Sequence, residues 1–202
     1  MRSTSPEGAG ESRNVSVDAA TVLGFIYLLS ELAVLFSKRA GSDAAGATDR
    51  GSLRLIWTVI GIAVSLSFFL SHVVIGAAMG AESLLRPAGT ALFAAGLILR
   101  WSAILYLGRF FTVNVAIAAD HRIVDSGPYR WIRHPSYTGA LAAFAGMALC
   151  IGNWVSLGVM LAPIGTVFAW RIRIEEAALL QALGAPYREY MSRTWRLIPA
   201  IY

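Results

Sequence analysis

"PSYTGALAAFAGMALCIGNWVSLGVMLAPIGTVFAW", residues Pro135 to Trp170, carries no charged side chain and is broken only by the pair Gly152-Asn153. The apolar runs on either side, 136–151 and 154–170, approach the roughly 20 residues that a helix needs to cross a bilayer. Nothing longer than a turn separates them, so they predict a helical hairpin whose two far ends return to the same side of a membrane. Three further apolar runs lie upstream, at 19–37, 55–80 and 88–107. The expected fold is therefore all-α, an integral membrane helical bundle of about five transmembrane helices.

Composition points the same way. Of 202 residues, 56% are hydrophobic and only 14% charged, and the mean hydropathy is +0.60, whereas soluble domains are near a quarter charged. This length suits one bundle and leaves no room for a separate soluble catalytic domain. The opening "MRSTSPEGAGESRNVS" is polar, without the apolar core of a secretory signal, so residues 1–16 are expected to form a disordered tail ahead of a single membrane domain, 17–202. The single cysteine, Cys150, lies inside an apolar run as packing or lipid-facing filler. No disulfide framework or cysteine-built metal site is possible.

The formal charge of +5 raises the question of nucleic acid. The basic residues are scattered between the spans instead of gathered on one face, which excludes that reading in favour of topology. With the N-terminus outside, 13 of the 17 Lys and Arg fall in inner segments and only Arg2, Arg13 and Arg86 outside. Five spans in an inner, cytoplasmic membrane, with the C-terminus in, follow from that bias. After the fifth span, "RIRIEEAALLQALGAPYREYMSRTWRLIPAIY" sets Leu179, Leu180 and Leu183 on one stripe beside charged residues, predicting a C-terminal cytoplasmic amphipathic helix closed by Gly184 and Pro186.

Polar side chains within spans carry information because hydrocarbon does not solvate them. Glu31 and Arg100 share a depth in the inner half, so an ion pair is expected, with a ligand role as the alternative. His72 falls in the outer half, remote from both, and reads as a packing or interhelical hydrogen-bonding residue. Gly76 and Gly80 form a small-residue spacing that suits helix packing.

Immediately before the hairpin stands "NVAIAADHRIVDSGPYRWIRHPSYTG". Gly127 and Pro128 demand a turn, and Pro135 fits the first turn of the fourth span. Free backbone N–H groups at that helix start, among arginines, suit an anion. As a plain inner loop, its arginines would serve topology and its tyrosines the interface. The hairpin, however, returns the chain so that "RIRIEE" at the end of the fifth span stands beside "RHPSY" at the start of the fourth. One site at the membrane border is expected, with His134 and Glu175 within reach of one small molecule.

"GPYRWIRHPSYTG", the hairpin, "RIRIEE", "LGAPYREYMSR" and "LIP", spanning about 95–200, resemble the isoprenylcysteine carboxyl methyltransferase family, related to the phospholipid methyltransferases. The resemblance implies S-adenosylmethionine as cofactor, held by His121, Arg122, Ile123, Val124, Tyr129, His134, Pro135, Ser136, Tyr137 and Glu175. Asn114 stands where eukaryotic members have a glutamine, and Arg122 replaces a small polar residue. Arg171 corresponds to an arginine near the acceptor carboxylate and is the candidate catalytic residue. No metal is implied.

The implied activity is carboxyl O-methylation of an isoprenylcysteine-like or other lipophilic carboxylate, a lipophilic or lipidated acceptor reached among membrane lipids. N-methylation of a phospholipid headgroup, with His134 or Glu176 as base, is the alternative, and a non-catalytic membrane protein is a third. No glycine-rich strand-to-helix turn of the soluble dinucleotide type is present.

Overall fold

The structure, a computed structural model, describes residues 8–38, 47–111 and 123–202. The described residues form six α-helices: α1 Gly8–Lys38, α2 Ala47–Val73, α3 Glu82–Leu107, α4 Pro135–Ile151, α5 Trp154–Leu183 and α6 Ala185–Ser192. Short 3₁₀ turns at Ile75–Ala77, Gly108–Phe110 and Gly127–Arg130 join them, and the described residues contain two isolated bridges but no strand. Among the described residues three helices are long and apolar enough to cross a membrane, Gly51–Val73, Glu82–Leu107 and Trp154–Leu183, with shorter apolar helices at Ala19–Val34 and Pro135–Ile151. α1 begins at Gly8, inside the stretch expected to be a tail.

α4 is the core helix. At 17 residues it is about 25 Å long, and its Ala140, Ala143, Phe144, Met147 and Ala148 are buried. It packs most closely on α3 and also meets α5 and α1, while α5 lies along α2. Outward-facing positions are the reverse of a soluble protein: Phe25, Leu29, Ile62, Phe69, Ile98 and Leu105 are all more than half exposed. An apolar belt of that extent is stable against lipid and not against water.

The α3–α4 contact is set by four glycines at a seven-residue spacing. Gly89 and Gly96 of α3 face Gly146 and Gly139 of α4. A Cβ at Gly139 would lie 2.5 Å from Gly96 O and 2.6 Å from Arg100 N, and one at Gly96 would lie 2.5 Å from Gly139 O. Two turns separate the members of each pair, so they share a face, and their missing side chains let the backbones touch. Gly76 and Gly80 do not serve this purpose. They lie beyond the end of α2, in the 3₁₀ turn and the residues after it, where a Cβ on either would meet no atom within 4 Å. Gly139→Val is expected to destabilise the bundle by about 1–3 kcal/mol, because the obstacle is backbone and has no rotamer to yield. Thermal unfolding in detergent reads this, and an unchanged midpoint would contradict the close approach.

Asn153 secures the hairpin end. Its side chain caps α5 by accepting from Ser156 N at 3.1 Å and donates to Val74 O at 2.9 Å. Beneath it Ser67 and Ser156 exchange bonds, Ser67 Oγ to Ser156 O at 3.0 Å and Ser156 Oγ to Ser67 O at 2.7 Å. His72, read as an interhelical residue, instead turns its Nδ1 to Phe68 O of its own helix at 2.8 Å and is exposed. At the other end α5 runs unbroken through to Leu183. The amphipathic segment after residue 170 is thus the continuation of the span, and only α6, after Gly184 at φ +60°, is a separate helix.

Candidate functional site

Three stretches of chain converge at the end of the bundle opposite the hairpin: the start of α4, the last turns of α5 and the residues after α6. The first and last pair through backbone. Arg133 N donates to Trp195 O at 2.7 Å, His134 N to Arg196 O at 3.1 Å and Trp195 N to Trp131 O at 3.0 Å. His134, the residue preceding α4, is thereby fixed from both sides and buried.

Glu175 and Glu176 are neighbours on α5, so their side chains leave the helix about 100° apart and meet different partners. Glu176, buried, is gripped by two arginines: Arg133 Nε reaches its Oε1 at 2.8 Å and Arg196 Nε its Oε2 at 2.9 Å. The other arm of Arg133 donates to Met191 O at 2.9 Å and to Thr194 O. Glu176 is the tie that holds the C-terminal segment over the end of α5.

Glu175 faces the other way, toward α4 and α2. Its Oε1 accepts from Tyr137 OH at 2.6 Å and from Arg171 Nε, one turn back, at 3.1 Å, and its Oε2 lies 3.6 Å from His134 Nδ1. Arg171 is 1% exposed and also donates through Nη1 to Ser52 Oγ of α2. The imidazole of His134 sits between the two glutamates, with Nε2 3.4 Å from Glu176 Oε1. That nitrogen is buried and out of hydrogen-bonding alignment with any described residue.

The expected Glu31–Arg100 pair is present and bidentate. Arg100 Nε meets Glu31 Oε1 at 2.5 Å and Nη2 meets Oε2 at 2.7 Å, the fork geometry that suits guanidinium to carboxylate. Arg100 Nη1 also donates to Ser136 O, in the first turn of α4, at 3.2 Å.

Of the residues singled out from sequence, His134, Tyr137 and Arg171 all meet at Glu175. Pro135 and Ser136 are buried at the start of α4. Tyr129 is buried in the 3₁₀ turn Gly127–Arg130, its hydroxyl donating to Ala103 O at 3.2 Å and its carbonyl accepting from Tyr190 OH at 2.7 Å. Burial, aided by Tyr190 and the charge of Glu175, pushes its phenol above the usual range, so it stays neutral and a donor. Ile123 and Val124 are half-buried. Asn114, His121 and Arg122 lie outside the described residues.

The helix start offers an anion less than expected. Pro135 has no N–H, and the N–H groups of Tyr137 and Thr138 already turn onto His134 O at 3.1 and 3.2 Å, so fewer backbone donors face an anionic ligand. Sequence reasoning missed Ser52, Thr194 and the grip of Arg133 and Arg196 on Glu176. Only the arginine of "RLIP" hinted at the last of these.

Residues 89–181 match the isoprenylcysteine carboxyl methyltransferase (ICMT) family. Protein-S-isoprenylcysteine O-methyltransferase A of Arabidopsis thaliana is 30% identical over 68% of this chain and 71% of its own length. The chain belongs to the isoprenylcysteine carboxyl methyltransferase family. Protein-S-isoprenylcysteine O-methyltransferase of Schizosaccharomyces pombe is 35% identical over 52% of this chain, and form B of Arabidopsis thaliana 35% over 56%. The chain spans 46% and 58% of the lengths of those two relatives. Its fold matches that of a solved eukaryotic intramembrane Ras methyltransferase, ICMT, with a TM-score of 0.73 over 96% of this chain and 70% of the other, at 24% identity.

In this family member the matched stretch covers most of α3, all of α4 and most of α5. Glu31 and Ser52, on α1 and α2, and Arg196 lie outside it yet touch the site.

Proposed function

We propose that this membrane protein is an S-adenosylmethionine-dependent methyltransferase acting on the carboxylate of an isoprenylcysteine-like or other lipophilic acceptor. The observation that carries the reading is the meeting of His134, Tyr137 and Glu175 at one end of a lipid-facing bundle, in a chain whose family relatives are named isoprenylcysteine O-methyltransferases. Bound S-adenosylmethionine supplies a methyl on a sulfonium sulfur, an electrophile that a carboxylate attacks directly.

The residues present fit such a molecule. It carries an ammonium, a carboxylate, a ribose diol and an aromatic base. His134, whose buried Nε2 makes no aligned hydrogen bond with a described residue, stands beside Glu175, Glu175 is an acceptor for the ammonium or the diol, and Tyr129 and Tyr137 supply rings and hydroxyls. Val124, Ile123 and Pro135 add apolar wall. Asn114, His121 and Arg122 join the set on the strength of the resemblance. The cofactor-binding core is placed at about 95–200 of a single domain, 17–202.

A carboxylate acceptor is already ionised at neutral pH, so the chain's work is to align it and exclude water. Arg171 is the buried cation placed for that task. Receiving an acceptor carboxylate would exchange its Ser52 contact for a charge-assisted one, while Glu175 keeps the guanidinium oriented. Arg171→Lys keeps the charge and loses the fork. It is expected to lower acceptor kcat/KM about tenfold, the worth of one hydrogen bond to a charged group, with S-adenosylhomocysteine affinity little changed. A fall in cofactor affinity with untouched acceptor kinetics would overturn that role.

The headgroup N-methylation alternative needs a base. Glu176 does not serve, since Arg133 and Arg196 already occupy both of its carboxylate oxygens. Five spans, with the site facing the cytoplasm, complete the proposal on the bias of Lys and Arg. The decisive experiment is calorimetric titration of the detergent-solubilised protein with S-adenosylhomocysteine. It is followed by radiolabelled methyl transfer to a farnesylcysteine analogue and to lipid extract. A base-labile product supports an ester; a base-stable product would mean an amine acceptor, and no binding a non-catalytic protein.

A further inference from the structure

We infer that Glu31 and Arg100 are positioning residues for the methyl-donor site, and that α1, outside the matched stretch of the family, helps to set its geometry. The inference rests on the proposed reading of that site.

An ion pair that only tied α1 to α3 would need the two bonds that Arg100 makes through Nε and Nη2. Its third arm, Nη1, is aimed elsewhere, at Ser136 O in the first turn of α4. That turn follows His134 directly and carries Tyr137, whose hydroxyl reaches Glu175 at 2.6 Å.

Two more contacts make the arrangement rigid. Trp101 Nε1 donates to Ser30 Oγ at 2.7 Å, so adjacent residues on both helices pair side by side. α3 and α4 touch backbone to backbone at the same level, since a Cβ on Gly139 would stand 2.6 Å from Arg100 N. Glu31 orients the guanidinium, the guanidinium holds Ser136 O, and the start of α4 takes its place against α5. The side chains of both Glu31 and Arg100 are nearly covered, at 5% and 12% exposure, so water does not compete for these bonds.

The test separates holding the fold from placing the donor. In Glu31→Leu/Arg100→Leu the pair becomes apolar, and in Glu31→Arg/Arg100→Glu the attraction is kept with its polarity reversed. Both are expected to melt near the parent, because replacing or swapping a whole buried pair leaves no lone charge. Neither has a donor at residue 100 for Ser136 O. Each is expected to bind S-adenosylhomocysteine about tenfold more weakly, the scale of a small displacement relayed from outside the site, and to raise the donor KM while leaving the acceptor KM unchanged.

Parent affinity in either folded double variant would overturn the inference. Should both fail to fold, Arg100→Lys decides, since it keeps the charge opposite Glu31 and loses the three-armed fork; weaker donor binding supports the inference and equal binding defeats it. A parent that binds no S-adenosylhomocysteine defeats the functional reading itself, an outcome distinct from a parent that binds and variants that bind equally.

Discussion

Arg133→Ala is expected to destabilise the protein by about 3–5 kcal/mol, the consequence of leaving a buried carboxylate without its principal partner. Arg133 and Glu176 are 8% and 5% exposed in their side chains and 2.8 Å apart. Of the partners left to Glu176, Arg196 is 32% exposed and His134 Nε2 stands 3.4 Å away, and neither replaces what is lost. The substitution also strips the donors from Met191 O and Thr194 O, so the segment after α6 loses its anchor. Two measurements check this: the melting temperature in detergent falls, and trypsin cleaves at Arg188 or Arg193 at a temperature where the parent resists. Arg133→Lys is expected to recover only part of the loss, because one ammonium cannot serve Glu176 and two carbonyls with the geometry of a guanidinium. A melting temperature equal to the parent's would show that the grip adds nothing to stability.

Glu175→Gln is expected to act on binding and not on folding. The amide keeps the size of the carboxylate and accepts from Tyr137, so the helices stay in place. It loses the negative charge opposite Arg171 and His134 and, on the proposed reading, the charged acceptor for the cofactor. S-adenosylhomocysteine affinity should drop about a hundredfold, equivalent to about 3 kcal/mol, the upper range for a hydrogen bond to a charged group. Titration calorimetry of Glu175→Gln beside Glu176→Gln separates the two neighbours: the first should lose ligand at parental stability, the second stability before ligand. Identical behaviour of the pair would refute the division of labour that their divergent directions suggest.

That division was not legible from the letters "EE". Their adjacency marked a polar cluster, but which carboxylate faces the site depends on how far α5 has turned when it meets α4 and the C-terminal segment. The position of α4's own start was legible, because Pro135 lacks an N–H and is best suited to the first turn. How many donors that start offers was not, because His134 O draws in the N–H groups of Tyr137 and Thr138.

Four glycines illustrate the same boundary from the packing side. Gly76 and Gly80 looked like a helix-packing pair by spacing alone, yet they fall beyond the last residue of α2, where a Cβ on either would meet open space. Gly89, Gly96, Gly139 and Gly146 form the real seam, and their seven-residue spacing was in the sequence without a sign of which helix each would face.

What the sequence determined by itself is the class of solvent around the protein and the order of its helices. Apolar runs of spanning length, punctuated by Gly152-Asn153 and flanked by arginines, are local properties that do not wait for the fold. The pairing of Glu31 with Arg100 was also within reach, because two opposite charges at one depth in hydrocarbon have little choice but each other. Only the tertiary structure decided which face each helix turns inward, and so that Ser52 meets Arg171, that Arg196 reaches Glu176 and that Arg100 spares an arm for Ser136. Those contacts join residues 20 to 119 positions apart, and rotation about a helix axis is fixed by packing against neighbours, which no local pattern encodes.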